Sequence, residues 1–372
     1  MRVVFVLVDG QVAGGQLVAR ALMHGLLEQG HEPLAIVPRS GPIVGRLESE
    51  GIETEVVPLA RSYRIDQAVS LARLLRKRRV DLVDAHTLYV GNQLAGMASR
   101  LARIPLVVHS HIDERYHRRP LIRQVQRVAE RLVAPETTIA VSKHLRDLLV
   151  AGGARPERIV VIHNGVRLGE ESPPPAGNGL RLMCIARLAP VKGQEVLLEA
   201  LRRVPDGVRV DFAGEDLERG GAYRGQLERL AAELGVQGRV RFLGHRDDPR
   251  ELLRGSGGLV LSSFSEGLPL VVLEAMAEAR AVVATTAGGT PEAVVHGETG
   301  ILVPPGDPER LAAARERLAA EPALQGAYGR AGYARVAAQF TVERMVERTI
   351  TVYEELCAAP ERSARGTALD QP

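Results

Sequence analysis

Tryptophan is absent from the 372-residue chain, and aromatic residues make up only 3% of it. Single-stranded nucleic acid is held largely by stacking bases on aromatic rings, so this composition speaks against such a partner, and no nucleic acid is expected. Cysteine is scarce as well. Cys184 and Cys357 are too few for a disulfide framework or a thiolate metal cluster. Cys184 falls inside an apolar run and reads as buried filler, a usage that fits a reducing cytoplasm. Long apolar stretches are also missing: none approaches the ~18 residues needed to span a bilayer. The opening run Val3 to Val8 stops at Asp9-Gly10 and reads as a buried strand rather than a signal peptide.

What remains is an ordinary globular mix, 45% hydrophobic and 25% charged. The length exceeds what one core usually supports, so two domains are expected. Net charge is only +3 but unevenly spread: residues 1–170 hold 24 Lys and Arg against 17 Asp and Glu, and the remainder is net acidic. Such asymmetry suggests two modules with different partners.

The first half alternates short β-rich runs with helical patterns. Strands are expected at Val3–Val8, Leu34–Val37, Thr54–Leu59, Leu82–Ala85, Pro105–His109 and Thr138–Val141, with helices at Leu17–Leu27 and Ala68–Arg76. Continuous apolar strands alternating with helices are the pattern of a parallel sheet covered on both faces. The Pro- and Gly-rich run Gly169–Gly179 can propagate neither helix nor central strand and is read as a linker. Alternation then restarts with strands at Arg181–Ile185, Val208–Ala213, Val240–Leu243, Leu259–Leu261, Val282–Ala284 and Ile301–Val303, and helices at Gln194–Arg203 and Leu270–Ala279. The division expected is a first Rossmann-like domain at 1–168, the linker at 169–179, and a second Rossmann-like domain at 180–340. An amphipathic helix at 341–357 should pack back on the first domain, and the tail at 358–372 should be disordered. The fold class is thus α/β, with two doubly wound parallel sheets facing a cleft at the carboxyl ends of their strands, where such folds bind ligands.

The polar motifs sit where that architecture requires them. Arg187 and Lys192-Gly193 follow a strand and precede a helix. Two cations at a strand-to-helix turn suit a diphosphate, since Arg offers bidentate donors, Lys a point charge, and the helix start a positive dipole end. Taken alone, the pair reads equally well as two solvated surface cations. Glu266 and Glu274 bracket Gly267-Leu268-Pro269, with Pro269 placed to be the first helical residue. A carboxylate on the entering loop and another inside the helix can both accept sugar hydroxyls, whereas at this spacing a lone pair is more often a helix-dipole partner plus a surface charge. The run Gly288-Gly289-Thr290-Pro291-Glu292 and that from Gly297 to Asp307 permit close backbone approach, or are simply turns between strands. In the first half, Gly14-Gly15 lies between strand and helix without the full G-x-G-x-x-G pattern, so it presents amides to an anion but is a weak dinucleotide signal. His109 and His111 follow a strand, and neither they nor Asp113 have partners at metal-ligand spacing.

Together these residues resemble the large group of retaining glycosyltransferases with two Rossmann-like domains, the GT-B type (group 1, family 4), which includes bacterial mannosyl-, glucosyl- and N-acetylglucosaminyltransferases. The resemblance covers residues 1–357. Its most specific pieces are Arg187…Lys192-Gly193, the pair Glu266 and Glu274, and Gly288 through Asp307, supported by Gly14-Gly15, Gly30-His31-Glu32, Val141-Ser142 and His163-Asn164-Gly165-Val166. By position, the resemblance implies that Arg187 and Lys192 bind the donor diphosphate and stabilise the leaving group. Glu274 would hold the ribose hydroxyls, and Glu266 with the amides of Gly267 and Leu268 would contact the transferred sugar. Gly14 and Gly15 would approach the diphosphate, and His111, rather than His109, would hydrogen-bond near the sugar. Transfer of a sugar from a nucleoside-diphosphate sugar (UDP or GDP type) to an acceptor hydroxyl would proceed by same-face attack through an oxocarbenium-like transition state. Fixed cations would do the work of a metal. No Asp-x-Asp is present to hold an ion, so neither metal nor other cofactor is expected.

The chain departs from the family pattern in two places. Gln16 and Leu17 follow Gly15 where an acidic residue is common, and Gly214-Glu215-Asp216-Leu217 replaces the usual Gly-x-Gly-Pro. A sugar-nucleotide epimerase, a disaccharide phosphorylase and a nucleotide-sugar-binding protein without catalysis stay open as alternatives on this fold. The acceptor is a small molecule, a glycan or a lipid-linked species. Arg115, Arg119, Arg123, Arg127 and Arg131 recur every four residues opposite an apolar face, and Arg76-Lys77-Arg78-Arg79 forms a second basic cluster. Both are read either as solvated faces or as weak contacts with an anionic membrane, which would place a cytoplasmic protein at the inner face of that membrane.

Overall fold

Val3 to Leu7 form five consecutive apolar residues with at most 1% of their surface exposed. A strand can hide such a run only if both faces of its sheet are covered. That requirement organises the whole chain. In the computed structural model, residues 1–59, 64–87, 89–111, 134–175, 179–204, 206–216 and 220–358 are described. They divide into two compact units, one comprising Met1–Asn164 with the chain from Val342 onward, the other Gly165–Thr341.

The first unit holds β1 (Arg2–Leu7), β2 (Glu32–Val37), β3 (Glu53–Val56), β4 (Leu82–His86), β5 (Leu106–Ser110), β6 (Thr137–Ala140) and β7 (Ile159–Val161). They form one sheet in the order β3-β2-β1-β4-β5-β6-β7, with every pairing parallel. The second unit repeats the plan with β8 (Leu180–Ile185), β9 (Val208–Ala213), β10 (Val240–Gly244), β11 (Gly258–Leu261), β12 (Ala281–Thr285) and β13 (Ile301–Val303), in the order β10-β9-β8-β11-β12-β13. Strand order reverses between β1 and β4 in one unit and between β8 and β11 in the other. At such a switch point the flanking connections leave toward opposite faces, which opens a crevice at the strands' carboxyl ends.

The helix Val342–Ala358 buries Met345, Val346, Thr349, Ile350, Val352 and Tyr353 and packs on the helix Gly14–Glu28 of the first unit. The spacing of those residues makes a stripe along one face, the usual way a surface helix joins a core. The strand β7 was not read from the sequence: it is three residues long, too short to show a periodicity. The helix Tyr89–Ala102 was also unread. Pro269 is not the first helical residue but the cap before it, with ψ at 115°, and the helix runs Leu270–Ala277.

The second basic cluster is partly used within the first unit. Arg78, just past the helix Ile65–Lys77, pairs with Glu53 at 2.9 Å and with Glu55, both on β3, while Arg76 donates to the Leu101 carbonyl. The stripe from Arg115 to Arg131, Asp113, Leu217 and the tail from residue 359 lie outside the described residues. Among the described residues no helix is long and apolar enough to cross a membrane.

Candidate active site

In the second unit, the loops leaving β8 and β11 are stitched together, and they carry the residues picked from the sequence. Pro190–Lys192 forms a short 3-10 turn, and Gly193 then adopts φ 63° to open the helix Gln194–Arg202. A Cβ at Gly193 would overlap the Ser262 carbonyl oxygen, so only glycine lets the two loops approach this closely. Ser262 Oγ donates to the Lys192 carbonyl at 3.0 Å, and Phe264 N donates to the Val191 carbonyl at 2.8 Å. The stitching brings Lys192 Nζ to 2.7 Å from Glu266 Oε1, with side-chain exposures of 18% and 10%. Ser263 Oγ donates to the same carboxylate oxygen at 2.6 Å.

The loop bearing Glu266 rests on a second one. Thr285 Oγ1 donates to the Ser263 carbonyl at 2.6 Å, and Gly289 N donates to the Gly267 carbonyl at 2.9 Å. Gly288, at φ 56°, lies so close beneath Glu266 that a Cβ would stand 2.6 Å from its carbonyl carbon. From the sequence alone, the Gly288-Gly289 run permits either a turn or a ligand contact. In the structure it is the support that fixes Glu266.

Arg187 is exposed two residues beyond β8, and its carbonyl accepts from Gln194 Nε2 at 2.9 Å. Gly267 and Leu268 are buried beneath the loop they belong to. Glu274 lies half-buried on the helix Leu270–Ala277. Burial pushes its carboxyl upward, Arg250 opposes that, and Glu278 adds to it. Burial also pushes the Cys184 thiol up to about 12, so it is an inert member of the core of this unit. Asp216, in the segment that departs from the family pattern, accepts from the Tyr223 amide at 2.7 Å and so helps anchor the start of the helix Ala222–Glu233.

The first unit presents a different set at its own switch point. Gly14 begins the helix Gly14–Glu28, and Gly15 lies against the imidazole of His111, whose Cδ2 would be 3.1 Å from a Cβ there. Gln16 is buried and donates to Asp9 Oδ1 at 3.2 Å, so the residue replacing the expected acid is used inside the loop. His111 is not alone. Its Nε2 lies 2.9 Å from His86 Nδ1, and His86 Nε2 lies 3.2 Å from Asp84 Oδ2. Tyr353, from the helix Val342–Ala358, donates its hydroxyl to the same Asp84 oxygen. His109 stacks beside both rings, with centroids 4.5 Å from His86 and 4.9 Å from His111.

The sequence reading missed Asp84, His86 and Tyr353. The available signal was Asp84-Ala85-His86 at the end of β4, next to β5, whose end carries His109. Donor atoms of Asp84, His86 and His109 lie within 4.8 Å of one another, a spacing that invites the thought of a metal ion. Yet the two rings are tilted by only 28° in a stack. Their in-plane lone pairs therefore run side by side and do not converge on one point, as metal ligation needs.

Two doubly wound parallel sheets in one chain, each with polar residues gathered at its switch point, define the GT-B class of fold. Comparison with known proteins places the chain within that class. Residues 13–165 match the glycosyl transferase 4-like domain, and residues 179–321 match the glycosyl transferases group 1 domain. The D-inositol 3-phosphate glycosyltransferase of Geodermatophilus obscurus is 32% identical over 326 residues, covering 78% of this chain and 70% of that protein. The lipopolysaccharide core biosynthesis glycosyltransferase LpsE of Rhizobium meliloti is 36% identical over 166 residues, covering 45% of this chain and 47% of that protein. Among solved structures, Anabaena Alr3699/HepE in complex with UDP-glucose shares the fold with a TM-score of 0.86 at 24% identity, covering 95% of this chain and 100% of that one. Sucrose-phosphate synthase from Thermosynechococcus elongatus does so at 0.80 and 21%, covering 96% of this chain and 100% of that one. The chain belongs to the group 1 (family 4) glycosyltransferases, and it is an enzyme that takes its sugar from a nucleotide-sugar donor.

Proposed function

We propose that this glycosyltransferase moves a hexose from a UDP- or GDP-sugar to an acceptor hydroxyl with retention and without a metal ion. The observation that carries the reading is the Lys192–Glu266 pair, largely buried and held by Ser263 at the switch point of the second sheet. An arriving diphosphate competes with Glu266 for the Lys192 ammonium, and Arg187 stands exposed on the same loop to join it. Charge grows on the diphosphate as the glycosidic bond breaks, so these cations stabilise the transition state more than the ground state. Glu266 and the amides of Gly267 and Leu268 then face the transferred sugar, Glu274 holds the ribose, and Gly14 and Gly15 offer amides to the diphosphate. His111 hydrogen-bonds a sugar hydroxyl. The departing phosphate oxygen takes the acceptor's proton, which accounts for attack from the same face.

The UDP and UDP-glucose bound to Alr3699/HepE support a uridine donor as the first to try, and the D-inositol 3-phosphate relatives support a polyol phosphate as the first acceptor. The test is thermal stability with UDP, GDP, ADP and TDP at about 1 mM, since a ligand at ~100 times its Kd stabilises by ~2.7 kcal/mol. The nucleotide that shifts the transition selects the sugar donors. Anomeric analysis of the product, with and without EDTA, then decides retention and metal use. An inverted product, or activity abolished by EDTA and restored by a divalent ion, would refute those parts of the reading.

A further inference from the structure

The chain Asp84–His86–His111 has directional content that the donor site does not explain. Asp84 is fully buried and receives the Tyr353 hydroxyl and the His86 Nε2 edge on one oxygen. Burial works to raise its carboxyl, but the adjoining His86 and His109 imidazoles outweigh that and hold it below the usual carboxylate range. Tyr353 is kept a phenol by burial and by the neighbouring carboxylate, so it acts as a donor. An ionised carboxylate only accepts hydrogen bonds. His86 therefore presents Nε2–H to Asp84, the arrangement in which Nδ1 is the imidazole nitrogen left to accept. His111 Nε2, 2.9 Å away, supplies the hydrogen. Burial drives His111 toward the neutral ring. Its other nitrogen, Nδ1, then carries the lone pair. Gly15 packs against the Cδ2, Cγ and Nε2 side of that ring, which fixes which edge turns inward.

We propose that Asp84 and His86 are positioning residues that lock His111 in the Nε2–H tautomer, so that Nδ1 accepts a hydrogen bond from a sugar hydroxyl, with Tyr353 tying the C-terminal helix to the same carboxylate. The sugar contact rests on the functional reading above; the tautomer does not. An imidazole in the other tautomer would present a donor where the hydroxyl proton must go, and wrong-tautomer histidines are costly to catalysis.

The experiment uses the full chain labelled with 15N-histidine. Two-bond proton–nitrogen spectra are recorded without substrate, with His111 assigned by the signals lost in His111→Gln. The expected result is protonated Nε2 and unprotonated Nδ1 on His111. In His86→Leu the preference collapses, and kcat falls on the order of 10-fold while KM for the donor stays within about twofold, since Arg187, Lys192 and Glu274, which hold the nucleotide, are untouched. His86→Gln, whose amide can donate to Asp84 and accept from His111, restores both readouts in part. Asp84→Asn, with the volume kept, covers the case in which His86→Leu does not fold, and it too disturbs the tautomer. A wild-type His111 protonated at Nδ1 overturns the proposal, as does a tautomer unchanged in both Asp84→Asn and His86→Leu, or stoichiometric divalent metal in the purified protein. If the tautomer is as stated but kcat does not respond, the sugar contact fails and the functional reading of His111 falls with it, while the donor site stands.

Discussion

Replacing Gly288 with alanine tests how the donor loop is built. Gly288 has φ 56°, and an added Cβ would stand 2.6 Å from the carbonyl carbon of Glu266 and overlap its oxygen. Alanine there costs about 1–2 kcal/mol for the left-handed backbone and about 1–3 kcal/mol for overpacking. The obstacle is backbone, which cannot rotate away as a side-chain tip can, so relief requires the Glu266 loop to move. Movement would break the Lys192–Glu266 contact at 2.7 Å and the Ser263 hydrogen bond at 2.6 Å. Gly297 supplies the control: its φ is 79°, but no atom lies within 4 Å of a Cβ built there. Gly297→Ala should therefore lose only the backbone cost, about 1–2 kcal/mol, and bind the donor nucleotide normally. Gly288→Ala should lose about 2–5 kcal/mol and weaken the nucleotide by about tenfold or more, a change of ~1.4 kcal/mol or greater. Urea unfolding gives the first quantity and calorimetric titration with the nucleotide the second. Equal stability losses in the two variants, with unchanged nucleotide affinity in Gly288→Ala, would refute the account of how Glu266 is supported.

Further expectations concern charge and proton. Arg187→Ala and Lys192→Ala should each lower turnover by roughly 10²-fold or more, the size expected for a lost transition-state charge stabiliser; near-normal rates would remove them from the mechanism. Glu274→Ala should act mainly on the donor, raising its KM with little change in kcat, as expected for a ribose contact made in both states. The pH dependence of stability follows from His109 and His111, whose burial, aided by neighbouring imidazoles, lowers their pKa values in the folded state. The unfolded chain then binds more protons below about pH 6.5, so stability is lost as pH falls, by up to ~1.4 kcal/mol per pH unit for each ring. Asp84, also lowered, adds a loss in the same direction at more acid pH. Urea unfolding at pH 7.5 and 5.5 reads this directly, and a flat profile would contradict the burial of the neutral rings. Sedimentation with anionic vesicles at low salt tests the arginine stripe; no binding there removes the membrane contact.

Much of the architecture was legible because strand burial writes itself into composition. Val3–Leu7 and Ala281–Ala284 are apolar throughout, since both faces of each strand are covered. Their alternation with helical patterns leaves few foldings besides doubly wound sheets. The ends of elements were less legible for equally physical reasons. The helix Gly14–Glu28 begins on two glycines, which no propensity scale would choose, because it is packing that carries it there. The chain passes between units at Gly165, while the run of prolines that marks an irregular segment begins at Pro173. An irregular composition locates a break in secondary structure and need not coincide with a change of core.

The two halves of the site differ in how they are encoded. The donor loops are local: Lys192 and Glu266 each belong to a short segment whose glycines, prolines and charges announce a turn beside a strand end. The pairing partner is far away in sequence, but each half can be recognised by itself. The histidine network is not local in that sense. Asp84 and His86 close β4, His109 and His111 close and follow β5, and Tyr353 arrives from a helix more than two hundred residues later. Read singly, Asp84 interrupts an apolar strand and Tyr353 is one apolar residue of an amphipathic stripe; neither has a motif. What could be inferred is that a carboxylate inside a parallel strand must be paired, because an unpaired buried charge is too costly to keep. With β4 placed beside β5, the partners available at that level are the histidines ending the two strands. A buried acid in a strand of known neighbours is therefore a usable signal even without a motif, and its value depends on having the strand order first.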